Sequence, residues 1–331
     1  MAFLLHRRRF PLLRCALACA TLLVAGPAAA AALVLAASLN AKSLPIYVAE
    51  AEGYFAAEGV AVRVEDCVGG QRCLRRLFDG EAQLATVSEL PVMFNSFERG
   101  DFAVIATVVT SARDIKLVAR RSADIAAVAQ LAGKRIGTAR GTSAHYFLDA
   151  FLLFHDIDPH GIELVAMPPE QLATALQRRE VDAIAIWEPY GWLAQRALGA
   201  DALVLPNPRI YTETFNLAVD ARTLAAREEE LVKLLRALER AQRHIREQPR
   251  QAQAVMKARL KIDQGFVEAT WADLDFRLAL DQSLISMLEG EARWALREGH
   301  VPAGRKVPNY LHYIEPGPLR RAVPGAVTTL K

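Results

Sequence analysis

This sequence lacks the short motifs that assign a chain to several common classes of enzyme. It contains no G-x-S-x-G segment and no dinucleotide-binding fingerprint. Gly133-Lys134 is followed by Arg135, where a Walker A motif requires Ser or Thr. Beyond the N-terminus no stretch is long and apolar enough to span a bilayer. Hydrophobic residues at 52% and charged residues at 23% exclude a disordered chain, and 331 residues allow two modest domains.

The histidines also lack the spacing of a catalytic or metal site. Ser143, His145 and Asp149 are residue types of a catalytic triad, but they lie on one short predicted helix. His145 and Asp149 are four residues apart and form a local pair on it. The other histidines are scattered and are interpreted as structural or surface residues: His155, His160, His244, His300 and His312. We therefore predict no catalytic residue, no metal ion and no cofactor.

The basic excess is confined to the N-terminus. The whole chain has 40 Lys and Arg against 37 Asp and Glu, a net charge of +3. The first 31 residues hold four arginines and no acid, then an apolar stretch at 15–26, Pro27 and a run of alanines. This order is typical of an export signal cleaved near residues 30–32, and the alternative is an uncleaved anchor. Without the segment the net charge is −1, which leaves no case for nucleic-acid binding.

Cysteine is scarce, with four residues in the chain. Cys15 and Cys19 lie in the predicted signal, and Cys67 and Cys73 remain as an even pair in an oxidising compartment. This predicts a disulfide. A metal site at the pair is disfavoured because no histidine or further cysteine lies near it in the sequence.

Strand-like and helix-like segments alternate after the signal. This rhythm predicts an α/β fold of two lobes, each with a mainly parallel sheet flanked by helices. We predict that lobe 1 comprises residues 32–114 and 217–331, and that lobe 2 comprises residues 115–216. The final part of lobe 1 is expected to form a helical wrap with one strand near residues 310–314.

The segment from Lys134 to His145 is the most informative loop. A predicted strand ends there, glycines free the backbone, and Thr142-Ser143 opens a helix. The first N–H groups of a helix lack internal partners and can hold a carboxylate, sulfonate, phosphate or nitrate. The alternative is an ordinary N-cap, in which Ser143 satisfies its own helix.

Similar loops follow other predicted strands, at the sheet edge where open α/β folds bind ligands. Trp187 and Glu188 end one strand, and the alternative for this pair is packing by the ring and capping by the carboxylate. Gly69-Gly70-Gln71 ends another. The residues that we predict to bind a ligand between the lobes are Asn40, Ser88, Glu89, Thr142, Ser143, His145, Trp187, Glu188 and Asn216.

Several short motifs occur in an order that resembles a known family. They include Leu44-Pro45-Ile46-Tyr47-Val48-Ala49, Gly53-Tyr54-Phe55, Leu131-Ala132-Gly133-Lys134-Arg135-Ile136-Gly137 and Trp187-Glu188-Pro189. The sequence resembles the solute-binding proteins of ABC importers for nitrate, taurine, other sulfonates and thiamine-pyrimidine precursors. The resemblance covers nearly all of the chain after the signal.

The resemblance implies a type II periplasmic-binding fold with hinge crossings near residues 111–116 and 212–216. It implies ligand contacts at Thr142-Ser143 and at Trp187-Glu188-Pro189. Two departures, Gln83 in place of the usual Asp and Glu180 in place of the usual Gly, prevent a transfer of ligand identity.

A further implication is an exported or periplasmic monomer that closes over a small solute and delivers it to a membrane permease with its ATPase. Two acids at strand ends, Glu89 and Glu188, favour an anionic or zwitterionic organic solute over nitrate, since like charges repel. The alternatives are a sensory binding protein and an enzyme on the same fold, including one that handles thiamine-pyrimidine precursors.

We expect the exported protein to begin near residues 30–32, because a signal peptidase cleaves after a small-residue segment of this kind. N-terminal sequencing of protein from the exported fraction measures this. A membrane-bound chain that retains Arg7, Arg8 and Arg9 would contradict the prediction.

Overall fold

The computed structural model describes Ala2 and residues 31–328. The predicted export signal therefore lies almost entirely outside the described residues. Within residues 31–328, no helix has both the length and the apolar character that a membrane crossing requires.

Eleven strands occur in the described part of the chain. They are β1 (Leu33–Ser38), β2 (Val62–Cys67), β3 (Leu84–Ser88), β4 (Phe102–Ser111), β5 (Ile115–Arg120), β6 (Arg135–Thr138), β7 (Glu163–Ala166), β8 (Ala183–Trp187), β9 (Ala202–Leu205), β10 (Glu213–Asp220) and β11 (Asp275–Ala279).

The same residues form thirteen α-helices and several 3₁₀ turns. The α-helices are α1 (Leu44–Ala51), α2 (Tyr54–Ala57), α3 (Gly70–Phe78), α4 (Glu89–Ser96), α5 (Ser143–Phe154), α6 (Pro169–Gln177), α7 (Tyr190–Leu198), α8 (Ala221–Ala226), α9 (Glu228–Glu247), α10 (Pro249–Leu260), α11 (Gln264–Thr270), α12 (Gln282–Arg297) and α13 (Gly317–Ala322). The 3₁₀ helices are Ala41–Ser43, Arg121–Ala123, Val128–Leu131, Pro159–Gly161, Gly199–Asp201, Trp271–Asp273, Tyr310–Tyr313 and Pro324–Ala326.

The strands form two separate sheets, and each sheet has its own buried apolar core. The first has the order β11-β4-β10-β3-β1-β2, in which β10 and β11 run against the other four. The second has the order β7-β6-β8-β5-β9, in which β5 runs against the rest. The predicted fold class, two lobes with mainly parallel sheets flanked by helices, is confirmed.

Central strands such as β1 are buried along their whole length, as continuous apolar runs in parallel sheets are. Helix α3 lies so close to β3 that a Cβ atom on Gly70 would be 2.8 Å from the Cα atom of Val87. Any other residue at this position would force the backbone to shift. Gly70 therefore allows α3 to begin directly against the sheet.

The chain passes between the sheets twice. Strand β4 ends at Ser111 and β5 begins at Ile115, whereas β9 ends at Leu205 and β10 begins at Glu213. We keep residues 32–114 with 217–331, and residues 115–216, as the proposed limits of the lobes.

The C-terminal wrap touches the second sheet's helices on two sides. The Trp192 ring on α7 packs edge-on against Phe266 on α11, with 6.2 Å between ring centroids. On the other side, Trp294 on α12 packs edge-on against Tyr146 on α5 at 5.1 Å. The second lobe is therefore held by the wrap as well as by the two crossings.

The strand predicted near residues 310–314 is wrong. Tyr310–Tyr313 is a 3₁₀ helix, and the Asn309 side chain accepts a hydrogen bond from the Leu311 N–H at its start. Only Ile314 makes a strand-like bridge, to Val104. The cap favours a helical turn over the extended backbone of the predicted strand.

The predicted disulfide between Cys67 and Cys73 is confirmed, with 5.6 Å between the two Cα atoms. Cys67 ends β2 and Cys73 lies in the first turn of α3. The bond therefore closes the short loop that contains Gly69 and Gly70.

Replacing both cysteines by alanine should lower the free energy of unfolding by roughly 2–2.5 kcal/mol, the chain-entropy value for so short a loop. Urea unfolding of the oxidised wild type and the C67A/C73A variant measures the difference. Reductant should destabilise the wild type and leave the variant unchanged. Equal midpoints for the oxidised wild type and the variant would contradict the prediction.

Candidate functional site

Four helices begin at the bottom of a cleft between the two sheets. They are the 3₁₀ helix Ala41–Ser43, α3 and α4 from the first lobe, and α5 from the second. Asn40, Gly70, Ser88 and Thr142, at the starts of these helices, line one cavity of about 20 Å³. The N–H of Lys42 in the 3₁₀ helix is taken by the Asn40 side chain, but the starts of the three α-helices have no side-chain cap, and their positive partial charge favours an anion.

The start of α5 has no side-chain cap. Thr142 occupies the N-cap position, but its hydroxyl donates to the Ala139 carbonyl at 2.6 Å. The His145 N–H donates to the Thr142 carbonyl, whereas the N–H groups of Ser143 and Ala144 make no hydrogen bond to the described residues. The alternative in which Ser143 caps its own helix is therefore not found, and the N–H groups of Ser143 and Ala144 are left without a partner among the described residues.

Trp187 lies at the end of β8 and closes one side of the cleft. Its ring lies against the first lobe, since a Cβ atom on Gly69 would be 3.5 Å from its Cζ2 atom. Trp187, Thr142 and Gln71 line both the small cavity and a neighbouring cavity of about 330 Å³. The two cavities are therefore neighbours, with these three side chains between them.

Two arginines lie at the larger cavity. Arg140 is exposed, lines the larger cavity and has no carboxylate within ion-pair distance among the described residues. Arg72 on α3 pairs with Glu170 on α6 at 2.7 Å, which joins the two lobes across the mouth. Arg140 is therefore the cation that remains free to meet an anionic ligand.

The floor of the cleft contains a buried ion cluster. The Lys42 ammonium donates to the carboxylates of Asp114 and Glu213, and all three side chains are at most 4% exposed. Burial alone would lower the pKa of Lys42, but the charges and hydrogen bonds of its two partners outweigh burial and raise it. Burial raises the pKa of Glu213, and the charge of Lys42 opposes this. Two carboxylates facing one ammonium leave the floor with an excess of acid.

Two further carboxyl groups lie behind the cleft. Glu89 accepts hydrogen bonds from the N–H and the hydroxyl of Thr214, at 2.8 and 2.9 Å. Burial, and next the charge of Glu213, raise the pKa of Glu89 to about 8. Burial, and next the charge of Glu89, raise the pKa of Glu291 on α12 well above its ordinary value. A pKa of about 8 means that Glu89 holds its proton at neutral pH.

Glu188 and Asn216 already have hydrogen-bond partners within the protein. Glu188 accepts a hydrogen bond from the N–H of Trp192 in the first turn of α7, at 2.7 Å. The carboxylate thus caps this helix, which is the alternative given for it in the sequence analysis. Burial raises the pKa of Glu188 to about 7. Asn216 is fully buried, accepts from the Thr107 hydroxyl at 2.7 Å and donates to Thr214.

The structure brings Asn40, Ser88, Thr142 and Trp187 together around the small cavity. The other five residues predicted to bind ligand do not line it: Glu89, Ser143, His145, Glu188 and Asn216.

The sequence analysis missed several residues that line the two cavities, notably Lys42, Gln71, Arg140, Glu213 and Phe215. Arg140 and Gln71 lie in loops that it singled out, so their position after a strand is a usable signal. Lys42 and Glu213 carry no such signal, because 171 residues separate the two partners.

Replacing Glu89 by Gln should remove part of the pH dependence of stability. The folded protein keeps the Glu89 proton up to about pH 8, whereas an ordinary Glu loses it near 4.5. Between these values the folded state binds more protons, so the wild type loses stability as the pH rises. Relative to the wild type, the variant should gain on the order of 1–3 kcal/mol between pH 5 and pH 8.

Urea unfolding at both pH values measures this gain. Gln can still accept from Thr214, and Glu98→Gln on the exposed surface is the control for a change of charge. Parallel pH profiles for the wild type and Glu89→Gln would show that Glu89 is ionised in the folded state.

The NMT1/THI5 like family matches residues 40–252. The chain is 28% identical over 162 residues to a protein of Escherichia coli K12 named taurine-binding periplasmic protein, with 49% of each chain covered. It is 25% identical over 204 residues to a putative aliphatic sulfonates-binding protein of Bacillus subtilis 168, with 60% of each covered. The chain thus spans about half to three fifths of the length of these relatives.

The fold matches the alkanesulfonate-binding protein SsuA of Xanthomonas axonopodis pv. citri, solved with bound MOPS. The TM-score is 0.74 at 17% identity, with 91% of this chain and 99% of that chain covered. This likeness confirms the periplasmic-binding-protein fold. Together with the match over most of the chain, it confirms the resemblance seen in the motifs: the chain belongs to the NMT1/THI5 like family.

Proposed function

We propose that this protein is the exported solute-binding component of an ABC importer. It captures a small anionic or zwitterionic organic solute, of the sulfonate class, between its two lobes. The observation that carries this proposal is the convergence of helix starts from both lobes on one cavity, lined by Asn40, Gly70, Ser88 and Thr142.

The anionic group binds at the start of α5. The free N–H groups of Ser143 and Ala144 lie at the positive end of that helix. Arg140 supplies a full positive charge beside them, and a guanidinium matches the oxygens of a sulfonate or carboxylate well. Asn40 and Ser88 approach the same group from the other lobe.

The rest of the solute contacts apolar and acidic side chains. Trp187 and Phe215 offer apolar surface. Glu213 also lines the small cavity, and the floor has more carboxylate than ammonium, which favours a solute with an amino group. An aminosulfonate has both ends, and the relatives named for taurine and aliphatic sulfonates support this class.

Capture proceeds by closure, which requires that the solute bind the closed form better than the open form. A solute that contacts Thr142 and Trp187 from one lobe and Asn40 and Ser88 from the other satisfies this condition. The closed monomer then presents the solute to a membrane permease and its ATPase outside the cytoplasm. A sensory partner and an enzymatic reaction remain as alternatives that experiment separates.

Calorimetric titration with taurine and with short alkanesulfonates tests the site, with nitrate as the inorganic comparison. We expect micromolar or tighter binding of at least one sulfonate, on the order of −8 kcal/mol. Arg140→Gln and Trp187→Ala should each weaken it about tenfold or more, which corresponds to about 1.4 kcal/mol.

Arg121→Gln is the matched control, since Arg121 is an exposed arginine of the same lobe that does not line either cavity. Thermal melting without ligand separates loss of binding from loss of fold. Unchanged affinity in both cleft variants, or tighter binding of nitrate than of any sulfonate, would overturn the proposed site. Mass spectrometry of the released sulfonate detects a reaction, which would favour the enzyme alternative.

A further inference from the structure

Three side chains with metal-binding groups meet at one side of the cleft. His145 and Asp149 lie on α5, and His300 follows the end of α12. One potential ligand atom from each residue lies within 4.8 Å of the other two. The sequence analysis interpreted His300 as structural or surface, since 155 positions separate it from His145 in the printed numbering.

Trp294 organises this cluster. Its ring lies edge-on to His145, with centroids 5.4 Å apart, and 4.7 Å from the His300 ring. Its indole N–H donates to the Oδ2 atom of Asp149 at 3.1 Å. In protein metal sites, a ligating carboxylate is usually oriented by such a hydrogen bond to one oxygen, while its other oxygen can bind the metal.

The ring nitrogens have few competing partners. The Nε2 atom of His300 is buried and has no hydrogen-bond partner among the described residues, which is uncommon for a buried polar atom. The Nδ1 atom of His145 faces only the Gly141 N–H, at a long 3.5 Å. Both imidazoles therefore have a nitrogen to offer.

The ligand set suits a divalent transition metal. Two imidazoles and one carboxylate, with a position open to water, are a common zinc set. A second carboxylate, Glu298, lies close enough to influence both Asp149 and His300, but it is paired with Arg297 at 2.7 Å and adds no uncompensated charge. Arg140 opposes a cation here, but it is exposed on a flexible stem.

The space around the cluster is also suitable. Tetrahedral zinc with bonds of 2.0–2.1 Å places its ligand atoms about 3.4 Å apart, so separations of up to 4.8 Å must contract by up to about 1.4 Å. His300 follows Gly299, whose φ of +71° forms a turn, and it is only partly buried, so its ring has room to move. A cavity of about 350 Å³ lined by His145 and His300 gives access to the ion and to a bound water.

We propose that His145, Asp149 and His300 bind one divalent transition-metal ion of the Zn²⁺ class. The site connects α5 of the second lobe with the C-terminal wrap of the first. None of these three residues lines the small cavity at the helix starts, so the proposed metal site is separate from that cavity.

Titration of tag-free, chelator-treated protein with Zn²⁺ tests the proposal. The wild type should bind one equivalent, and bound Co²⁺ should show the visible absorption of a low-coordinate site. His300→Ala and Asp149→Asn should each weaken Zn²⁺ binding about tenfold or more. Losing a residue that only supports a metal ligand already costs about tenfold, and these two residues would be ligands themselves. His312→Ala, which removes an exposed histidine away from the cluster, should have no effect.

Circular dichroism and sulfonate titration of each variant keep the outcome interpretable. A variant that is folded and still binds Zn²⁺ as the wild type does would overturn the proposal. So would a wild type that binds less than about half an equivalent, or an equal loss of binding in His312→Ala.

Discussion

The floor of the cleft depends on the buried contact of Lys42 with Asp114 and Glu213. Lys42 follows β1, Asp114 lies on the first passage between the sheets, and Glu213 begins the strand that returns from the second. One ammonium therefore ties together three chain segments that are far apart in sequence. A buried charge without its partner is strongly unfavourable, so none of the three can leave alone. The floor is fixed in this way, while the lobes above it are joined mainly by short crossings and side-chain contacts.

The charge of the cleft is set by fewer groups than its composition suggests. Glu89 is an acid by residue type, but burial raises its pKa to about 8 and keeps it protonated at neutral pH, and burial shifts the pKa of Glu291 in the same direction. What remains is a floor with one more carboxylate than ammonium, a ring of helix starts above it and the free guanidinium of Arg140. A dipolar solute of the proposed class would be oriented by such a gradient, negative at the bottom and positive further out, before any specific contact forms.

Residues next to strand ends were predictable, because the carboxyl ends of parallel strands converge at one edge. Asn40, Ser88, Thr142 and Trp187 lie in the cleft for this reason. The same rule placed Glu188 there, but the nearer N–H of Trp192 takes its carboxylate, and a local partner prevails over a distant one. Partners that only the tertiary fold brings together were not predictable: Glu213 against Lys42, and His300 against His145. A strand was predicted near residues 310–314, but the Asn309 cap sets a helical turn there instead.

The bond between Cys67 and Cys73 has a consequence for affinity as well as for folding. It closes a ring around Gly69 and Gly70, and Gln71 within that ring lines both cavities. Glycines have the most conformational freedom to lose when a ligand orders them. The closed ring removes much of that freedom before the ligand arrives, so contacts with the loop carry a smaller entropic cost. If the disulfide were reduced, the loop could still make the same contacts, but it would have more conformational freedom to lose. The affinity of the cleft is thus coupled to the redox state of its compartment.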